Sequence, residues 1–115
     1  MCGIVGIVSK ESRPQQIVNM QSMMTSLAHR GPDEHGKYLD QNVALGHQRL
    51  SILDVEQGTQ PFSSDDQTLI MIYNGECHNY QVLRKDLETK GYVFATSSDT
   101  EVVLKLYEAY KEKAF

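Results

Sequence analysis

"MCGIVGIVS", residues Met1–Ser9, decides how the rest of the chain is read. Small and β-branched apolar residues follow one another without a charge, which is the composition of a buried strand. A strand is therefore predicted over about Gly3–Ser9. At its head stands a thiol, Cys2. A cysteine can pack there simply as a small hydrophobe. Removal of Met1, however, would leave a thiol and an α-amine on one residue, and burial of the strand would hold that terminus rigid.

With 115 residues the chain is expected to form one domain, residues 1–115, large enough for its own core. Fifteen acidic against eleven basic residues give a net charge of −4, and the basic residues are scattered rather than clustered. That pattern argues against a nucleic-acid partner and for small-molecule work or protein contacts. The apolar start is short and lacks a basic leader, so it does not read as a signal peptide. The later run "LIMIY" is far below the roughly 20 residues that span a bilayer, so no membrane association is expected. Cys2 and Cys77 form no disulfide framework, and a cytoplasmic location is the expectation.

Past the first strand, Pro14 marks the start of a helix. Apolar residues Ile17, Val18, Met20, Met23, Met24 and Leu27 keep its period as far as "HRGP". Strands are predicted at "GKYLD", "VALGHQRLSI" and "TLIMIYN", with "DVEQGTQPF" as a loop between the last two. "NYQVLRKDLETKG" predicts an amphipathic helix stopped by Gly91. "YVFAT" predicts another strand, and "SSDTEVVLKLYEAYKEK" a last helix with Ser98 and Glu101 spaced as a capping box. Neighbouring strands without helical crossovers favour antiparallel pairing, hence an α+β fold.

Several polar residues stand in notable places. "NGE", Asn74–Glu76, follows an apolar run, where Asn-Gly alone reads as a turn. Arg49 sits among apolar neighbours, and Asp99 at a helix start, where the helix dipole favours an acid. "HRGPD" reads as a structural turn and His47 as a packing or hydrogen-bonding residue. A metal site drawn from Cys2, Cys77, His29, His35, His47 and His78 lacks any recognised ligand spacing, so none is expected.

Taken together, Cys2, Arg49 in "RLSI", "NGE" and Asp99 in "SSDTE" resemble the class II glutamine amidotransferases. "HRGPDEHG" (His29–Gly36) and "GHQRLSILD" (Gly46–Asp54) look most like the asparagine-synthetase branch, and the likeness runs from Met1 to about Ala109. The resemblance implies an N-terminal-nucleophile hydrolase fold, in which two antiparallel sheets pack between helical layers. Family members continue beyond the last helix, so the fold is expected to be incomplete at its C-terminus. Completion by another chain or homo-oligomerisation follows from that expectation, because open strand edges associate.

The chemistry explains the residue types. A free thiol titrates at roughly 8.5 and is only partly ionised at neutrality. An α-amine, at about 7.7–8.0, can take the thiol proton and later deliver it to the leaving group. Cys2 would supply both. The resemblance assigns Asn74 (side-chain amide) and Gly75 (backbone N–H) to an oxyanion hole. It gives Arg49 the α-carboxylate of L-glutamine and Glu76 and Asp99 its α-ammonium, with backbone groups at Ile52 and Leu53 completing the cradle. The implied function is hydrolysis of glutamine to glutamate and ammonia, the ammonia passing to a synthetase domain or subunit for asparagine synthesis. No cofactor is expected in this domain, and ATP and Mg²⁺ only in the synthetase partner. In "NGECHNY", Cys77 and His78 depart from the family pattern, where an aliphatic residue and a tyrosine are usual. The alternative is a non-catalytic glutamine-binding or assembly module. A cysteine redox protein is disfavoured by the absence of C-x-x-C.

Overall fold

The structure, a computed structural model, describes residues 2–10, 13–50 and 59–115. The chain divides into two compact units: Met1–Pro61 with Ile72–Asn74, and Phe62–Met71 with Gly75–Phe115.

The first unit is a three-stranded antiparallel sheet under one helix. Its strands are β1 (Gly3–Val8), β2 (Glu34–Leu39) and β3 (Val43–Arg49), in the spatial order β1-β3-β2. Helix α1 (Arg13–Leu27) begins one residue before Pro14, where a missing N–H costs nothing. The strand period of two gives β3 two different faces. Ala44, Gly46 and Gln48 face α1: Ala44 joins Val5, Met20 and Met24 in the core, and the Gln48 amide donates to the Met24 carbonyl oxygen at 3.0 Å. Leu45, His47 and Arg49 take the opposite face, opposed by Tyr38, Gly36 and Glu34 of β2. That second face carries the candidate site.

The helical period predicted for α1 holds, but its buried stripe is narrower. Met20 and Met24 are sealed, whereas Ile17, Val18 and Met23 are exposed. Gln16 fills the next turn of the stripe, its amide donating to the carbonyl oxygens of Gln41 (3.0 Å) and Ser9 (3.4 Å). These two bonds offset the burial of the amide's N–H donors.

In the second unit a short hairpin, β4 (Phe62–Ser63) with β5 (Ile70–Met71), precedes helices α2 (Tyr80–Thr89) and α3 (Asp99–Tyr110). The helices close on each other through Leu87, Val102 and Leu106. Gly91, in the left-handed region at φ 93°, follows the end of α2 as expected. The hairpin turn is tied by Asp66, whose carboxylate accepts from the hydroxyls of Ser64 (2.7 Å) and Thr68 (2.8 Å). The Ser64 bond first, then Thr68, lowers the Asp66 carboxyl to about 2.

Two predicted strands are corrected. "TLIMIYN" forms strand only at Ile70–Met71, and "YVFAT" forms none. In the latter, Glu101 supplies what a neighbouring strand would have supplied. Its carboxylate accepts from the backbone N–H groups of Ala95 (2.9 Å) and Thr96 (2.7 Å) and from the Thr96 hydroxyl (2.6 Å). The capping box is accordingly half made: the Ser98 hydroxyl accepts from the Glu101 N–H at 3.3 Å, while the Glu101 carboxylate serves the preceding loop. The fold is α+β with two small antiparallel sheets and three α-helices among the described residues.

Candidate active site

In the first unit Cys2 and Arg49 lie at the end of the sheet where β1 begins and β3 ends. Cys2 immediately precedes Gly3, the partner of Gln48. It is half-buried, with its Sγ 4.0 Å from the carbonyl oxygen of Leu50. Its own carbonyl accepts from Arg30 Nε at 3.4 Å, so the backbone of the residue is held from the turn after α1.

Arg49 closes β3 with only 9% of its surface exposed. A buried cation needs a partner, and Glu34, directly opposite on β2, supplies it at 3.1 Å. Glu34 also accepts from the Thr59 hydroxyl at 3.4 Å. The "HRGPD" segment begins within a short 3-10 helix, Ala28–Arg30, and its Asp33 N–H donates to the Arg49 carbonyl oxygen at 3.1 Å ahead of β2.

His47 is buried, and its Nε2 lies 3.2 Å from the carbonyl oxygen of Tyr73. Burial pushes the imidazole below its ordinary value, assisted by the nearby Arg49 charge, with the Tyr73 bond and Glu34 acting in the opposite direction. It is a neutral hydrogen-bonding residue at pH 7, as its sequence position suggested. Gln60 accepts from the Tyr73 N–H. Asn74, the next residue, is exposed at the end of the segment Ile72–Asn74 that belongs to this unit.

Gly75, Glu76 and Asp99 belong to the second unit. Gly75 and Glu76 are exposed, and Asp99 is the first residue of α3. Its carboxylate accepts from the Cys77 N–H at 2.9 Å, which fixes the chain just beyond the Asn-Gly corner. Burial, and then the Asp99 charge, pushes the Cys77 thiol up. His78 is exposed, with its Nε2 3.8 Å from the equally exposed Glu76 carboxylate. Ile52 and Leu53 lie outside the described residues. No group of three or more His, Cys, Asp or Glu among the described residues could hold a metal ion.

Cys2, Arg49 and Asn74 thus share one unit, and Gly75, Glu76 and Asp99 the other. Arg30, Glu34 and Gln60 were not singled out from the sequence. Each acts through a partner between 13 and 28 residues away in the chain, a distance at which no local pattern operates.

Over residues 1–115 the chain matches, and belongs to, the glutamine amidotransferase domain family. Relatives it is similar to include asparagine synthetases. It is 49% identical to the glutamine-hydrolysing asparagine synthetase 1 of Bacillus subtilis, over 99% of this chain and 18% of that protein. It is 40% identical to the glutamine-hydrolysing asparagine synthetase 1 of Arabidopsis thaliana (96% and 19%) and 41% identical to the probable enzyme of Dictyostelium discoideum (94% and 20%). The chain therefore spans about a fifth of the length of these relatives.

Proposed function

We propose that this domain hydrolyses L-glutamine to glutamate and ammonia with Cys2 as nucleophile, and that the ammonia goes to a synthetase domain or subunit making asparagine. The observation that carries the reading is the joint placement of Cys2 and Arg49 at one end of the β1–β3 pair, within a chain of the amidotransferase family. On this reading the fold is of the N-terminal-nucleophile type, and the mature chain starts at Cys2.

The α-amine takes the thiol proton, and sulfur attacks the side-chain amide carbon of glutamine. The carbonyl π electrons move to oxygen, where the Asn74 carboxamide and the Gly75 N–H receive the charge. Loss of one such donor typically costs roughly 10²–10³ in rate. The C–N bond then breaks, the protonated amine supplies the proton that makes ammonia, and a γ-glutamyl thioester remains on Cys2. Water, deprotonated by the same amine, cleaves the thioester to glutamate and returns the thiol. Arg49, oriented by Glu34, takes the substrate α-carboxylate, while Glu76 and Asp99 take the α-ammonium. The backbone at Ile52 and Leu53 completes the cradle. ATP and Mg²⁺ belong to the acceptor domain, and no step of glutamine hydrolysis passes through them.

Glutamate release from glutamine, measured beside the intact mass of the N-terminus for the parent and Cys2→Ser, tests the proposal. Expected are a mass lacking Met1 and loss of turnover in the variant. Turnover unchanged by Cys2→Ser overturns the nucleophile assignment, and an active form that retains Met1 overturns the amine as base. Saturable glutamine binding without any turnover identifies a binding module instead.

A further inference from the structure

Two buried polar residues on the site face, His47 and Gln60, have no part in the chemistry above. Both converge on one residue. Tyr73 lies two residues beyond β5, past the end of the hairpin ladder, so its backbone groups need other partners. Gln60 accepts from its N–H, and His47 Nε2 lies 3.2 Å from its carbonyl oxygen. A carbonyl only accepts, so Nε2 must carry the proton and His47 is the donor.

The surroundings fix both side chains. His47 is 2% and Gln60 8% exposed. Gly36, opposite His47 in the register, has no side chain, and the Gln60 carbonyl oxygen lies 1.7 Å from where a Cβ would stand. The chain at Gln60 is thus laid directly on β2, at the level of His47. Burying two polar side chains in place of apolar ones is unfavourable unless their bonds are made. Here the bonds are made to the residue that precedes Asn74. The Tyr73 carbonyl shares a rigid peptide plane with the Asn74 nitrogen, and the Tyr73 N–H belongs to the plane before it. Two consecutive planes leading into Asn74 are therefore set by side chains of β3 and of the Gln60 turn.

We infer that His47 and Gln60 act as a pair of positioning residues, clamping Tyr73 so that the Asn74 carboxamide is presented to the developing oxyanion. The inference rests on the role proposed above for Asn74. An oxyanion donor acts in the transition state far more than on bound substrate, so loosening the clamp should lower kcat and spare KM.

The test compares His47→Leu and Gln60→Leu, which remove the bonds, with His47→Gln, which keeps an N–H donor, and Gln60→Glu, which keeps an acceptor oxygen. For the leucine variants, kcat for glutamine is expected to fall about 10–100-fold with KM within about threefold, as displaced catalytic groups do. The conservative variants should recover most of kcat. Hydrogen exchange at the Tyr73 amide should be slow in the parent and in Gln60→Glu and faster in Gln60→Leu. If the leucine variants do not fold, the comparison passes to the two conservative ones, which should then retain near-parental kcat and slow exchange. A KM loss matching the kcat loss, conservative variants no better than leucine, or exchange at Tyr73 indifferent to residue 60 overturns the clamp. A parent that neither binds nor hydrolyses glutamine overturns the amidotransferase reading instead. In that case Tyr73 exchange still decides whether the clamp exists.

Discussion

Arg49 shows how a single residue acquires a task. Burial demands a partner for its charge, and Glu34 across the strand pair supplies one at 3.1 Å. A guanidinium so braced presents a flat fork that a lysine cannot copy. Arg49→Lys is expected to raise KM for glutamine at least about tenfold, given roughly 1.5–3 kcal/mol for hydrogen bonds to charged groups; a KM within twofold of the parent would contradict the assignment. His47 adds a pH dependence. Its folded value is depressed, chiefly by burial. The unfolded chain thus binds the proton more tightly, and the stability His47 contributes, full above its ordinary value of about 6.5, is lost as pH falls below it. Thermal melts between pH 7 and 5 should show a smaller drop in Tm for His47→Gln than for the parent.

Legibility differed sharply among these residues. Cys2, Arg49, Asn74 and Asp99 are candidates from sequence alone because each stands in a compact motif. Glu34 and Gln60 were not, because their meaning comes from partners reached only after the chain has folded. Glu34 is 15 positions from Arg49, and Gln60 is 13 from Tyr73.

Helices were easier to read than strands. Continuous periodicity and end signals placed α1, α2 and α3 close to where they lie, since a helix makes its bonds within one stretch of chain. A strand needs a neighbour, and "YVFAT" found a carboxylate instead. Thr100 to Leu106 are all buried, so α3 holds Glu101 and Lys105 in the interior. Lys105 Nζ lies 3.1 Å from the Asp65 carboxylate and 3.8 Å from Glu101. Charges placed this deep persist only when paired, and here they tie α3 to the β4–β5 turn and to the loop before it. Arg84 adds a second hold on that loop, donating to the Thr96 carbonyl oxygen at 2.7 Å and lying 4.6 Å from the Phe94 ring centre. Removing the cap with Ser98→Ala should cost about 1 kcal/mol. Leu87→Ala, at a fully buried contact between the helices, should cost about 2–5 kcal/mol. Denaturant unfolding monitored by circular dichroism checks both, and equal losses would contradict this account of the second unit.

At the scale of the whole chain, the first unit's sheet ends on β1 and β2, each paired on one side only among the described residues. Ile4 and Val8 of β1 are exposed apolar side chains. Strand edges of this kind invite pairing. Concentration-dependent sedimentation, with association rising across the micromolar range, is the expected behaviour of the isolated 115-residue chain. A single monomeric boundary at all concentrations would refute it.

The parity of β3 has one last consequence. Even-numbered positions serve the methionine layer under α1, and odd-numbered ones put His47 and Arg49 on the other face, as in a text whose sense depends on its reading frame. One residue inserted or deleted within Val43–Arg49 would exchange the two sets. A guanidinium would be driven among thioethers, and small core residues would be turned out to the other face, so this strand tolerates a change of length far less readily than a change of side chain.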